Sequence, residues 1–154
     1  MSDFRESAQD QFQMVLMTVV GQAFTAAGYK LQESPMLWSM GLFRFSTTLP
    51  QGLYGFLDWH HLPYPEGQPS RFKVIISRSD LADPTRHSQH VGYLRRDLSD
   101  LVVRGFGVAI LPSADYWWTY QNITELGRTL GEAGSLTIGY ALPYLSDDLQ
   151  LPQR

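Results

Sequence analysis

Residues 42–60 read LFRFSTTLPQGLYGFLDWH. Leu42–Leu49 and Leu53–His60 alternate as two strands around Pro50-Gln51-Gly52. Proline suits the first position of a three-residue hairpin loop, and glycine suits its left-handed last position. Setting Leu49 opposite Leu53 fixes every other pair by counting outward. One face then carries Phe43, Phe45, Leu49, Leu53, Leu57 and Trp59. The other carries Arg44, Ser46, Thr48, Tyr54, Phe56, Asp58 and His60. Arg44 falls directly across from Asp58, an opposite-charge cross-strand pair.

Downstream, His61–Ser70 contains Pro63, Pro65, Gly67 and Pro69, which bars it from a sheet interior. Arg71–Ser77 reads as a third strand with Phe72, Val74 and Ile76 inward. Asp83-Pro84 has the form of an N-cap and first helical residue, predicting a helix to Arg104 with Gly105 beyond it. Phe106–Leu111 reads as a short buried strand. Ser113 is the expected cap of a further helix, Ala114 to about Gly131, and Leu136, Ile138 and Tyr140 alternate as a last strand.

Upstream, a first helix is expected from about Ser7 to Ala27. Its stripe is Phe12, Val15, Leu16, Val19, Val20, Ala23 and Ala27, widened by Met17 and Phe24, with Gly28 as C-cap. The order α-β-β-β-α-β-α-β predicts an α+β class: an antiparallel hairpin or meander sheet packed with about three helices. Residues 1–145 are read as a single domain and 146–154 as a polar tail.

The chain has 154 residues, 44% of them hydrophobic and 13% aromatic, and no cysteine. A chain of this size buries roughly 68–70% of its unfolded surface, enough for a core without staples. Disulfides, thiolate metal sites and cysteine nucleophiles are excluded. A net charge of −3 gives no global attraction to nucleic acid or anionic lipid, so neither partner is expected. Arg95, Arg96 and Arg104 are interleaved with Asp97 and Asp100, as on a solvated face rather than an anion-binding patch. Met14–Gly21 is apolar, but Asp3, Glu6 and Asp10 precede it, whereas a secretory signal begins with positive charge. A cytoplasmic location is therefore expected.

His87 and His90 are three residues apart on the predicted second helix, and His60 and His61 end the hairpin. Together they are the candidates for a metal-binding or hydrolytic centre. Asp83 and Asp58 already have structural roles as cap and ion-pair partner, and no zinc-protease or di-iron spacing is present, so no metal or cofactor is expected. Nucleophile elbows and phosphate loops are absent from the sequence too.

Aromatic residues are the least ordinary feature. On a helix, Trp117 and Trp118 would sit about 100° and 200° around the axis from Tyr116, off the core stripe. At least one of them, Trp118 by preference, should then need another chain, a ligand or the Pro63–Pro69 loop to be covered. Tyr54 and Phe56 form a second aromatic surplus, and Tyr64 lies in the proline loop. The leading expectation is a non-catalytic binding or interaction domain using Trp117, Trp118, Tyr54, Phe56 and Tyr64. Self-association through the first helix or the tryptophan pair is one form of it. The competing expectation is a small enzyme or metal-binding protein built on the histidines.

Overall fold

The computed structural model describes residues 2–65 and 67–152. The chain is an α+β protein built on a six-stranded antiparallel sheet. Its strands are β1 (Lys30–Leu31), β2 (Leu42–Leu49), β3 (Leu53–Leu62), β4 (Ser70–Ser79), β5 (Leu94–Asp97) and β6 (Trp118–Tyr120). The first five lie side by side in sequence order, and β6 also pairs with β4. The two short strands share β4: β5 runs along Ile75–Arg78 and β6 along Ser70–Phe72.

The hairpin has the expected register, with Leu49 opposite Leu53 and Arg44 opposite Asp58. Its turn differs in one respect, since Gln51 (φ 65°) joins Gly52 (φ 73°) in the left-handed region.

Helices cover the face that holds Phe43, Phe45, Trp59 and Phe72. On that face α1 (Ser2–Leu16) and α2 (Gln22–Ala26) are continuous through a π-helical turn at Met17–Gly21. The large apolar side chains this run buries are Phe12, Leu16, Val20 and Phe24, four apart throughout, while Val19 is 40% exposed. At 3.6 residues per turn a strict four-residue repeat drifts around the axis, and the wide π turn takes up that drift. Phe24, from the widened edge of the stripe, is buried, whereas Ala23 and Ala27 are exposed. A short helix α3 (Pro35–Ser39), capped by Ser34, precedes β2.

Several expected elements are corrected. No helix runs from Asp83 to Arg104. Asp83 Oδ1 instead accepts from both the backbone and hydroxyl of Thr85 (2.9 and 2.6 Å), closing a turn. Ser88 bonds to Asp80, the His90 amide to Ser88 Oγ (3.0 Å) and the Gly92 amide to His90 Nδ1 (2.8 Å). Such side-chain bonds compete with helix formation, which is how short polar residues break helices. The chain then forms β5, a short helix α4 (Leu98–Asp100) and a π-helical turn, Leu101–Gly105. Arg96 and Arg104 nonetheless both pair with Asp100, at 2.7 and 3.8 Å.

Phe106–Leu111 forms turns rather than a strand. The expected helix from Ala114 is replaced by β6 and then α5 (Ile123–Leu136), capped by Asn122, whose side chain accepts from the Glu125 amide at 2.9 Å. Glu125 reaches back to the Gln121 amide at 2.8 Å, an arrangement close to a capping box. The expected last strand is a π-helical turn, Thr137–Ala141, that carries α5 into α6 (Leu142–Leu145). Gly131 and Gly134 do not stop α5. A Cβ on Gly134 would collide with Val20, so glycine lets α5 and the first helix cross closely.

The second face of the sheet is crossed by residues 80–93 rather than by a helix. Ala82 lines a hollow with Tyr54 and Phe56, and Arg95 Nη1 reaches the Pro84 carbonyl at 3.5 Å. Among the described residues, no helix is long and apolar enough to cross a membrane.

Candidate functional site

Strand β3 sends His60 and His61 to opposite faces, because side chains alternate along a strand. The two histidines therefore belong to different surroundings. On the outer face, His60 lies beside Trp117, ring centroids 5.8 Å apart. Trp117 precedes β6 and is half-buried. The Arg71 guanidinium sits 4.5 Å from its ring centre and the Lys73 ammonium 5.1 Å. Tyr64 extends the row, 6.0 Å from the Arg71 guanidinium. These separations fall within the range of cation–π attraction, about 0.5–1 kcal/mol each at an exposed site.

Charge on this platform is only partly compensated. Lys73 meets Asp97 at 3.5 Å, whereas Arg71 has no carboxylate partner among the described residues and its Nε is buried with no acceptor. Burial and the Lys73 charge hold the His60 pKa below its ordinary value, opposed by Asp58.

On the inner face, His61 is fully buried. Its ring stacks on Phe12 at 4.1 Å, and its nitrogens meet Gln9 Oε1 and the Tyr120 hydroxyl, each at 2.7 Å. Gln9 Oε1 can only accept, so Nδ1 carries the proton and Nε2 accepts from Tyr120. Burial raises the pKa of Tyr120, opposed by a smaller contribution from Ser70. Ser70 Oγ accepts from the Tyr64 amide at 3.0 Å. A polarised chain runs from the Tyr120 hydroxyl through His61 to Gln9.

Burial, with smaller contributions from His60 and Arg5, pushes the His61 pKa down to about 3. In the unfolded chain the ring titrates near 6.5. Between those values the unfolded state binds a proton that the folded state refuses, so stability falls as pH drops through that window. The slope approaches about 1.4 kcal/mol per pH unit. Urea denaturation from pH 6.5 to pH 5 should show that loss in the wild type and a flatter profile in His61→Gln. Equal slopes would disprove the neutral-histidine assignment.

The sequence candidates separate into surface and interior. Trp117 and Tyr64 lie together at the platform. Tyr54, 36% exposed, is 6.2 Å from Phe56, which is buried. Trp118 is also interior, contrary to the expectation that it needs outside cover. As a strand residue it stacks on Phe72 (5.7 Å), meets Tyr116 edge-on (5.1 Å) and donates to Glu132 at 3.4 Å. His87 packs edge-on against Tyr93 at 5.1 Å, and His90 bonds to its own loop. Among the described residues, no three His, Asp or Glu side chains gather in a metal-binding group.

Arg71 and Lys73 were missing from the expected set, although their alternation with Phe72 and Val74 already places them on the outward face. Gln9 carried no signal, being 52 residues from His61. No family model, no curated protein and no solved structure matches this chain.

Proposed function

We propose that this chain is a non-catalytic binding module that engages an acidic segment of a partner protein at the Trp117 platform. The observation that carries this reading is Trp117 held half-open beside Arg71 and Lys73, with Arg71 lacking a carboxylate partner among the described residues. Tryptophan, tyrosine and arginine dominate the energetics of protein interfaces. A carboxylate arriving here meets a guanidinium already oriented by the indole, so little side-chain entropy is lost on docking. The chain's net charge of −3 gives acidic partners no global attraction, so the patch itself must supply it.

The test uses a fluorescein-labelled glutamate hexapeptide, with a lysine hexapeptide as control, followed by fluorescence anisotropy. The glutamate peptide should bind, lose affinity as salt rises, and bind about tenfold or more weakly to Trp117→Ala and to Arg71→Ala. Equal binding of both peptides, or unchanged affinity in both variants, would refute the proposal. Sedimentation analysis of the wild type reports on the other occupant. A concentration-dependent dimer abolished by Trp117→Ala would assign the platform to a second copy of this chain instead.

A further inference from the structure

We infer that the outer surface of the helix layer is a self-docking face, on which a second copy of this chain packs about a two-fold axis. Two helical runs lie across the sheet, α1 through α2 and α5 through α6. Phe4 and Ile123 border one hollow at their N-terminal ends, and Val20 comes up against Gly134 midway. Ala27 borders another hollow with Leu142 at their C-terminal ends. The runs are therefore parallel neighbours that share one outer surface. Their inner sides fill the core, yet apolar residues continue onto the outside, where Phe4, Met14, Val19, Ile123 and Ile138 are all exposed. Residues 14–20 read MVLMTVV, apolar on nearly every side of the helix, and such a helix is normally covered all round.

Charge points to the occupant. Residues 11–29 and 133–146 hold no Asp, Glu, Lys, Arg or His. A two-fold contact sets a patch against itself, so like charges near its centre would oppose one another. In a chain of net charge −3, this face is free of that repulsion. A charged partner finds nothing here to pair with. The flanking charges, Glu6, Asp10, Glu125 and Glu132 against Arg5 and Arg128, are mostly acidic and disfavour an anionic lipid surface. Size agrees as well. A layer about 35 Å long and two helix diameters of about 10 Å wide buries on the order of 1,400 Å² in total when two copies meet across it. Stable interfaces bury about 1,200–2,000 Å². An axis running across the helices lays each N-terminal end on the partner's C-terminal end, as their dipoles favour. The face lies on the opposite side of the sheet from Trp117, so this inference stands independently of the platform.

Sedimentation velocity from about 1 to 100 μM brackets the affinities of moderate interfaces. The wild type should pass from monomer to dimer across that range. Met14→Glu and Val19→Glu each place a carboxylate on the face and should weaken the dimer about tenfold or more. Both positions are exposed in the single chain, so each variant should keep the wild-type circular dichroism, and either one suffices if the other does not fold. Val91→Glu, on the loop that crosses the other face, and Trp117→Ala, on the platform, should dimerise as the wild type does. A wild type that stays monomeric at the highest concentration overturns the inference. So does a dimer whose affinity is unchanged in the glutamate variants that fold. Flotation of a monomeric wild type with phosphatidylcholine vesicles overturns it too, because the face would then belong to lipid.

Discussion

Asp58→Ala is expected to cost about 3–5 kcal/mol of stability, because it strands a buried guanidinium. Asp58 is fully buried and Arg44 is 7% exposed. Arg44 grips Asp58 with two bonds, Nε to Oδ1 at 2.8 Å and Nη2 to Oδ2 at 3.1 Å, and Arg95 stands 3.6 Å away. Removing the carboxylate leaves Arg44 between β2 and β3 with its charge uncompensated. Replacing both partners at once, as Arg44→Met with Asp58→Leu, should recover most of the loss, since apolar side chains of similar size carry no such desolvation cost. Urea midpoints of the single and double variants measure this. A single-variant loss below about 1 kcal/mol, as for a surface ion pair, would contradict the buried pairing.

Gly41→Ala should be nearly as damaging, on the order of 3 kcal/mol, by strain and overpacking together. Gly41 has φ +83°, and an added Cβ would strike the carbonyl oxygen of His61. That obstacle is backbone, fixed because the His61 amide donates to the Gly41 carbonyl at 2.7 Å. Nothing nearby can rotate aside. Gly127→Ala is the matched control, since its new methyl would meet nothing within 4 Å. In mid-helix that change should stabilise by about 0.5–1 kcal/mol. Thermal denaturation of the pair should therefore move in opposite directions. A Gly41→Ala protein as stable as the wild type would mean the chain can open at this junction.

The hairpin was legible because turn chemistry, alternation and the Arg44–Asp58 pair are local and point the same way. The sheet's third strand and the first helix were legible for the same reason. Elsewhere local signals misled. Asp83-Pro84 resembles a helix start, yet the residues after it satisfy one another through side-chain bonds. Gly131 and Gly134 resemble helix stops, yet Gly134 answers to Val20, more than a hundred residues away in sequence. The Asn122 and Glu125 cap was readable, and was obscured by reading one helix from Ala114 onward. Of the candidate site, Trp117 and Tyr64 were identified from their residue type. Their cationic neighbours follow from strand parity. Gln9 and the chain through His61 depend on packing between distant segments, for which a single sequence holds no pattern.

The unequal anchoring of β4's neighbours also bears on how the molecule breathes. Strands β2, β3 and β4 hold one another along ladders of eight and nine residue pairs, whereas β6 is held to β4 by three. Local opening costs least where few bonds must break. The three residues of β6 lie between the outer platform and the buried chain. Trp117 immediately precedes the strand on the outside, and Tyr120 ends it on the inside against His61. A partner that grips the indole restrains the same short strand that holds the phenol. Occupancy of the outer face and order in the buried chain are thereby coupled through one strand's fraying, without any displacement of the rigid meander.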